Sequence, residues 1–170
     1  MKKIISGLLL LAGLFLYPGT LQARENVIDW YIQDFNSKII VNEDSTLDIT
    51  ETITADCGNA PNKHGIFRIL PISATIDGKK VPIPVELMSI TDQNGRAWKY
   101  SEKKSTDTII WQIGDANITV QGVNIYKIRY KVKNAIRFGR PEFDELYWNL
   151  NGNFWDLQTD HFIAEIVFPE

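Results

Sequence analysis

Cysteine is almost missing from this sequence: its 170 residues hold one, Cys57. No internal disulfide can form, and a reactive thiol would need a neighbouring base, for which only His64 and His161 are present. Cys57 therefore reads as a small residue at a strand end. Extracellular eukaryotic domains of this size are often cross-linked, so the deficit favours a bacterial envelope protein. A basic excess is missing too. Net charge is −3, and residues 24–170 carry 16 basic against 21 acidic side chains, a balance that argues against nucleic acid as a partner. A single histidine at 64, with no second histidine or cysteine beside it, cannot build a zinc site. No phosphate loop, nucleophile–base set or regular calcium loop is present, so no catalytic residue, cofactor or metal is expected. A long apolar run is lacking as well: the stretch Ile4 to Tyr17 has 14 residues, short of the ~20 that cross hydrocarbon comfortably.

That short run has its own meaning. Lys2 and Lys3 precede it, Pro18 and Gly19 end it, and Leu21-Gln22-Ala23 offers a small residue before a cut. The order is that of a secretory signal peptide. Residues 1–23 are expected to be cleaved or kept as an anchor, with residues 24–170 outside the cytoplasm.

Period-two alternation fills the remainder. Leu47, Ile49, Ile53 and Ala55 share one face, with threonines on the other. Tyr126, Ile128, Tyr130 and Val132 alternate with Lys127, Arg129, Lys131 and Lys133. Ile109, Trp111 and Ile113 repeat the pattern, as do Phe162, Ala164, Ile166 and Phe168. Turn residues separate the runs at Asn42–Ser45, Asp77-Gly78, Asp92–Gly95 and Gly114–Asn117, the last two reading as hairpin loops. Pro82 and Pro84 keep 81–85 out of any central strand. The best helix candidate, Phe143 to Leu150, is too aromatic and β-compatible to persuade. These signals predict one all-β domain over 24–170, an antiparallel sandwich of the immunoglobulin-like kind. The sequence stops directly after a strand, which predicts a piece of a longer protein.

Glu51 breaks the apolar face of its run. Either a bulge turns it to solvent, or it points inward and needs a cation. Arg68, in the strand entry His64-Gly65-Ile66-Phe67-Arg68, is the expected partner, with Asp144 or Glu145 as alternative acids for it. The same segment admits a second reading, His64 as a base and Arg68 as an anion clamp. Glu142, Asp144 and Glu145 form an acidic cluster that reads as a solvated loop, or as paired carboxylates of a hydrolase. Trp148 and Trp155 flank an Asn151-Gly152-Asn153 turn. They read as core or, if exposed side by side, as a platform for a sugar ring. The lysine and arginine ladder on 127–133 reads as solubility and edge protection, or as contact with anionic headgroups.

Taken in order, these segments resemble a known bacterial family: Ile32 to Phe35, Ile49–Ile53, His64–Pro71, Tyr126–Tyr130, Ala135-Ile136, Asp144–Asn149, then Gly152 with Trp155. It is the YciQ-like family of predicted membrane proteins, a domain of unknown function. The resemblance covers nearly all of 27–169 and implies a signal sequence, an extracytoplasmic β domain and later transmembrane helices. It implies no activity and no catalytic residue. The expected role is binding or assembly in the envelope, with an envelope protein, a lipid headgroup or a glycan as partner. A carbohydrate-binding module using Trp148 and Trp155 is the alternative, and a hydrolase the third reading.

Overall fold

The structure, a computed structural model, describes residues 24, 27, 29–76, 78–139, 142–152 and 154–169. The expected signal segment 1–23, Asp77 of one expected turn and Asn153 of another lie outside the described residues. Twelve strands and no helix occur among those described: β1 Tyr31–Val41, β2 Leu47–Asp56, β3 Gly65–Pro71, β4 Ser73–Ile76, β5 Lys79–Pro82, β6 Val85–Thr91, β7 Tyr100–Lys104, β8 Thr108–Gly114, β9 Val123–Val132, β10 Ile136–Arg137, β11 Glu145–Leu146 and β12 Thr159–Val167. Among them no helix is long and apolar enough to cross a membrane.

The larger sheet has the order β12-β1-β2-β9-β6, and a three-stranded sheet β3-β8-β7 faces it; β4–β5 and β10–β11 are small hairpins. Alternation decides which side chains meet between the sheets. Leu47, Ile49, Ile53 and Ala55 of β2 are buried beside Tyr126, Ile128, Tyr130 and Val132 of β9. Ile66 and Leu70 of β3 and Ile109, Trp111 and Ile113 of β8 close the core from the other side. Burying a side chain such as Ile53 stabilises by about 1.5–3 kcal/mol relative to exposure. Thr50, Thr52 and Thr54 occupy the outer face, where a β-branched polar side chain suits a half-wet strand.

Several expectations need correction. The larger sheet is mixed, because β12 joins β1 in parallel, Phe35 opposite Phe162 and Ile39 opposite Ile166. The immunoglobulin-like expectation therefore extends no further than two packed sheets. Asp92–Gly95 does make the expected antiparallel reversal, bridged from Thr91 to Ala97, with Trp98 N–H donating to the Ile90 carbonyl at 3.0 Å. It is short, however, and the chain then crosses to the other sheet. Gly114–Asn117 likewise leads from β8 to β9 in the opposite sheet rather than around a hairpin. β9 lies between β2 and β6, so its basic ladder guards no edge. Trp30, which its place in the sequence marks as a core strand residue, precedes β1 and is only partly buried, with the Lys63 ammonium 4.9 Å from its ring centre.

Gly65 and Gly114 face one another at the start of β3 and end of β8, at φ 140° and 132°. A Cβ on Gly65 would sit 1.8 Å from the Ile113 carbonyl oxygen, and one on Gly114 equally close to that of His64. The family segment His64–Pro71 thus needs glycine here for backbone approach.

Candidate functional site

Glu51 lies in the middle of β2, between Ser37 of β1 and Ile128 of β9, in unbroken register. No bulge turns it outward; the shift in that pair falls between Ile32 and Asp34. Parity therefore sends the carboxylate into the core, where it is 0% exposed. Arg68 comes from the facing sheet and is 1% exposed. Its Nε donates to Glu51 Oε2 at 2.7 Å and its Nη2 to Oε1 at 2.5 Å, a two-pronged ion pair. The Tyr130 hydroxyl of β9 donates to the same Oε1 at 2.6 Å. The remaining Nη1 donates to the Ile69 carbonyl at 3.2 Å.

Aromatic rings enclose the guanidinium. Its carbon lies 5.7 Å from the Phe35 ring centre and 5.4 Å from that of Trp155, distances at which a ring face attracts a cation. Phe35 and Trp155 meet edge-to-face at 6.0 Å, and Tyr130 leans on both Trp111 and Trp148. Gly152, at φ 80°, brings its backbone over the cation: a Cβ there would lie 2.3 Å from Arg68 Nη1. Burial works against the charge of Arg68, yet Glu51 outweighs it and holds the guanidinium above its ordinary value. Burial, then the Glu51 carboxylate, pushes the Tyr130 hydroxyl well up. Arg68 stays charged and Tyr130 neutral at neutral pH, which suits a strut better than an acid–base catalyst.

Glu51 and Arg68 meet, as strand parity predicts. Trp148 and Trp155 join the same cluster, half-buried against the core rather than on an open platform. Trp155 Nε1 is buried and without a hydrogen-bond partner among the described residues. Asp144 and Glu145 do not reach Arg68. Glu145 pairs with Arg137 across β10–β11 at 3.2 Å, while Glu142 and Asp144 are exposed on the preceding loop. His64 stays apart from the pair: its Nδ1 donates to the Ile118 carbonyl at 2.9 Å, beside an open hollow of ≈ 320 Å³ lined by Trp30, Phe67 and Gln112 among others. Gly65 serves the backbone contact described above. Burial raises the Cys57 thiol, whose Sγ donates to the Gly122 carbonyl. On the outer face Lys127 and Arg129 are exposed, and Lys131 binds Asp48 at 2.9 Å. Among the described residues no three metal-ligating side chains converge.

Sequence reasoning missed two members of the cluster. Tyr130 shares the inward parity of Tyr126 and Ile128, and a buried phenol needs an acceptor. Gly152 was legible as part of a turn and of the family segments but not as a neighbour of Arg68, because that close approach depends on tertiary structure.

Residues 31–170 match the family described as "Predicted membrane protein (DUF2207) N-terminal domain". The chain belongs to that family. Its relative "Uncharacterized protein YciQ" of Escherichia coli is 33% identical over 89% of this chain and 24% of that protein. The chain thus spans about a quarter of the length of this DUF2207 relative. Solved structures give weaker likenesses. Leukotriene A4 hydrolase of Saccharomyces cerevisiae aligns over 66% of this chain and 17% of its own at 9% identity, TM-score 0.42. A two-domain M1 zinc metallopeptidase aligns over 66% and 22% at 10% identity, TM-score 0.39. Neither carries a functional argument for this DUF2207 domain.

Proposed function

We propose that this domain is the extracytoplasmic part of a membrane-anchored envelope protein and acts by binding or assembly rather than by catalysis. The observation that carries this reading is the burial of Glu51 and Arg68 in a saturated ion pair. The most distinctive charged residues of the sequence are consumed in holding two sheets together, and function falls to the outer surface. The layout of residues 1–23 supports export, and the family description supports a membrane setting.

Topology reporters test the location. Alkaline phosphatase folds only outside the cytoplasm and β-galactosidase works only inside it. Fused in turn behind Glu170 in a bacterial host, the first should be active and the second silent. The opposite pattern would overturn the reading.

A further inference from the structure

β12 is the outer strand of the larger sheet, and its open side is defined by one bond. Ile32 N–H donates to the Gln158 carbonyl at 2.8 Å. In a parallel ladder successive residues turn their N–H and C=O groups to opposite sides. Gln158, Asp160, Phe162, Ala164 and Ile166 therefore address β1. Thr159, His161, Ile163, Glu165 and Val167 present their backbone groups to the open edge.

The side chains are equally unfinished. Phe162 and Ile166 lie in register with Phe35 and Ile39, which are both fully buried, yet each is 38% exposed, and Phe168 beyond them is 64% exposed. The two sheets are of unequal width, three strands against five. On the outer face Ile163 is 63% and Val167 37% exposed.

Natural edges are usually blunted by charges, proline or bulges. β12 contains no proline, and its register against β1 is unbroken. Its charged side chains pair with residues of its own domain: Asp160 with Arg24, Glu165 with Lys38, and His161 within 3.8 Å of Asp34. What remains, among the described residues, is a row of unpaired peptide groups flanked by alternating apolar side chains, the surface that strand addition uses.

We propose that β12 is an acceptor edge for an extended segment with apolar residues at alternate positions, supplied by the polypeptide that follows this domain in longer members of the family. Two observations select that donor over others. The domain is the N-terminal one of its family, and the match covers only 24% of the YciQ relative, so most of that protein lies outside it. The donor strand completes the larger sheet, and its inward residues cover Phe162 and Ile166. The inference goes beyond the binding-or-assembly reading and does not depend on which side of the membrane the domain occupies.

Site-resolved hydrogen exchange tests it. Two chains are compared: the 170-residue chain carrying, behind Glu170, the stretch that follows the matched region in the E. coli relative, and the same chain with a glycine-serine tail of equal length. The amides of His161, Ile163 and Glu165 should exchange quickly with the neutral tail and slow by ~100-fold with the native-type extension. Phe162 and Ala164, already bonded to β1, should be protected in both. Ile163→Pro removes a donor that faces only the open edge. It should leave the tailed chain's stability unchanged and abolish the added protection. Equal exchange in the two chains would overturn the proposal. So would concentration-dependent protection in the tailed chain, which would mark a second copy as the occupant.

Discussion

A glutamate and an arginine withdrawn from water together must satisfy one another, since an isolated buried charge costs several kcal/mol. Arg68→Ala or Glu51→Ala should therefore destabilise by about 3–5 kcal/mol in urea unfolding. Arg68→Lys should recover only part of that loss, because an ammonium cannot reproduce the fork that fills both carboxylate oxygens. Replacing both partners with apolar residues, Glu51→Leu with Arg68→Met, should restore most of the stability by removing both desolvation costs. Tyr130→Phe leaves Oε1 with Arg68 alone and should cost about 1–3 kcal/mol. Its pH signature has a defined sign. The folded-state phenol titrates above its unfolded value, so its contribution is complete below about pH 10 and is lost as pH rises further. A flattened alkaline limb in Tyr130→Phe is the measurement that checks this. The acid and base of this cluster were legible because strand parity makes an inward charge conspicuous. The phenol was hidden by looking apolar.

At the scale of strands and loops, the segment between β11 and β12 acts as a cover on Arg68. Gly152→Ala would drive a methyl into a guanidinium that Glu51 already pins, at a φ unsuited to alanine. We expect a loss of roughly 1–3 kcal/mol and altered Trp155 emission, read by fluorescence during denaturation. On the outer face, hydrogen bonding to Lys131 holds the Asp48 carboxylate below its usual range. Asp44, Asp107 and Asp115 are lowered by their own hydrogen bonds. A depressed folded value contributes stability above the unfolded one, near ~4, that disappears as pH falls through the folded one. The urea midpoint should hold steady near neutrality and fall below about pH 4, less steeply in Asp48→Asn. Strands β2, β8, β9 and β12 were readable because each carries a period-two apolar pattern. β10 and β11 were not, since two-residue strands have no period. Asp92–Gly95 and Gly114–Asn117 carry turn chemistry, which marks a reversal but not the sheet that the next strand joins.

Across the whole molecule, the ion pair ties one sheet to the other, so the two should unfold together, with coincident transitions by tryptophan fluorescence and circular dichroism. The parallel alignment of β12 was beyond sequence reading, because alternation fixes faces but not direction. That alignment places the two ends of the fold far apart. Arg24 is tied to Asp160 beside the start of β1, whereas Phe168 follows the far end of β12. The 11 residues of β1 separate these poles by about 35 Å. Tension applied through the two ends would pull β1 and β12 past each other along their length. Their bonded register from Ile32 to Ile40 would carry the load at once in shear, rather than parting bond by bond as in a peeled hairpin. Stretched in an optical trap from residue 24 to residue 169, the domain should yield at a distinctly higher force than when pulled across β4 and β5. Such a link resists load best along the line that joins its two ends.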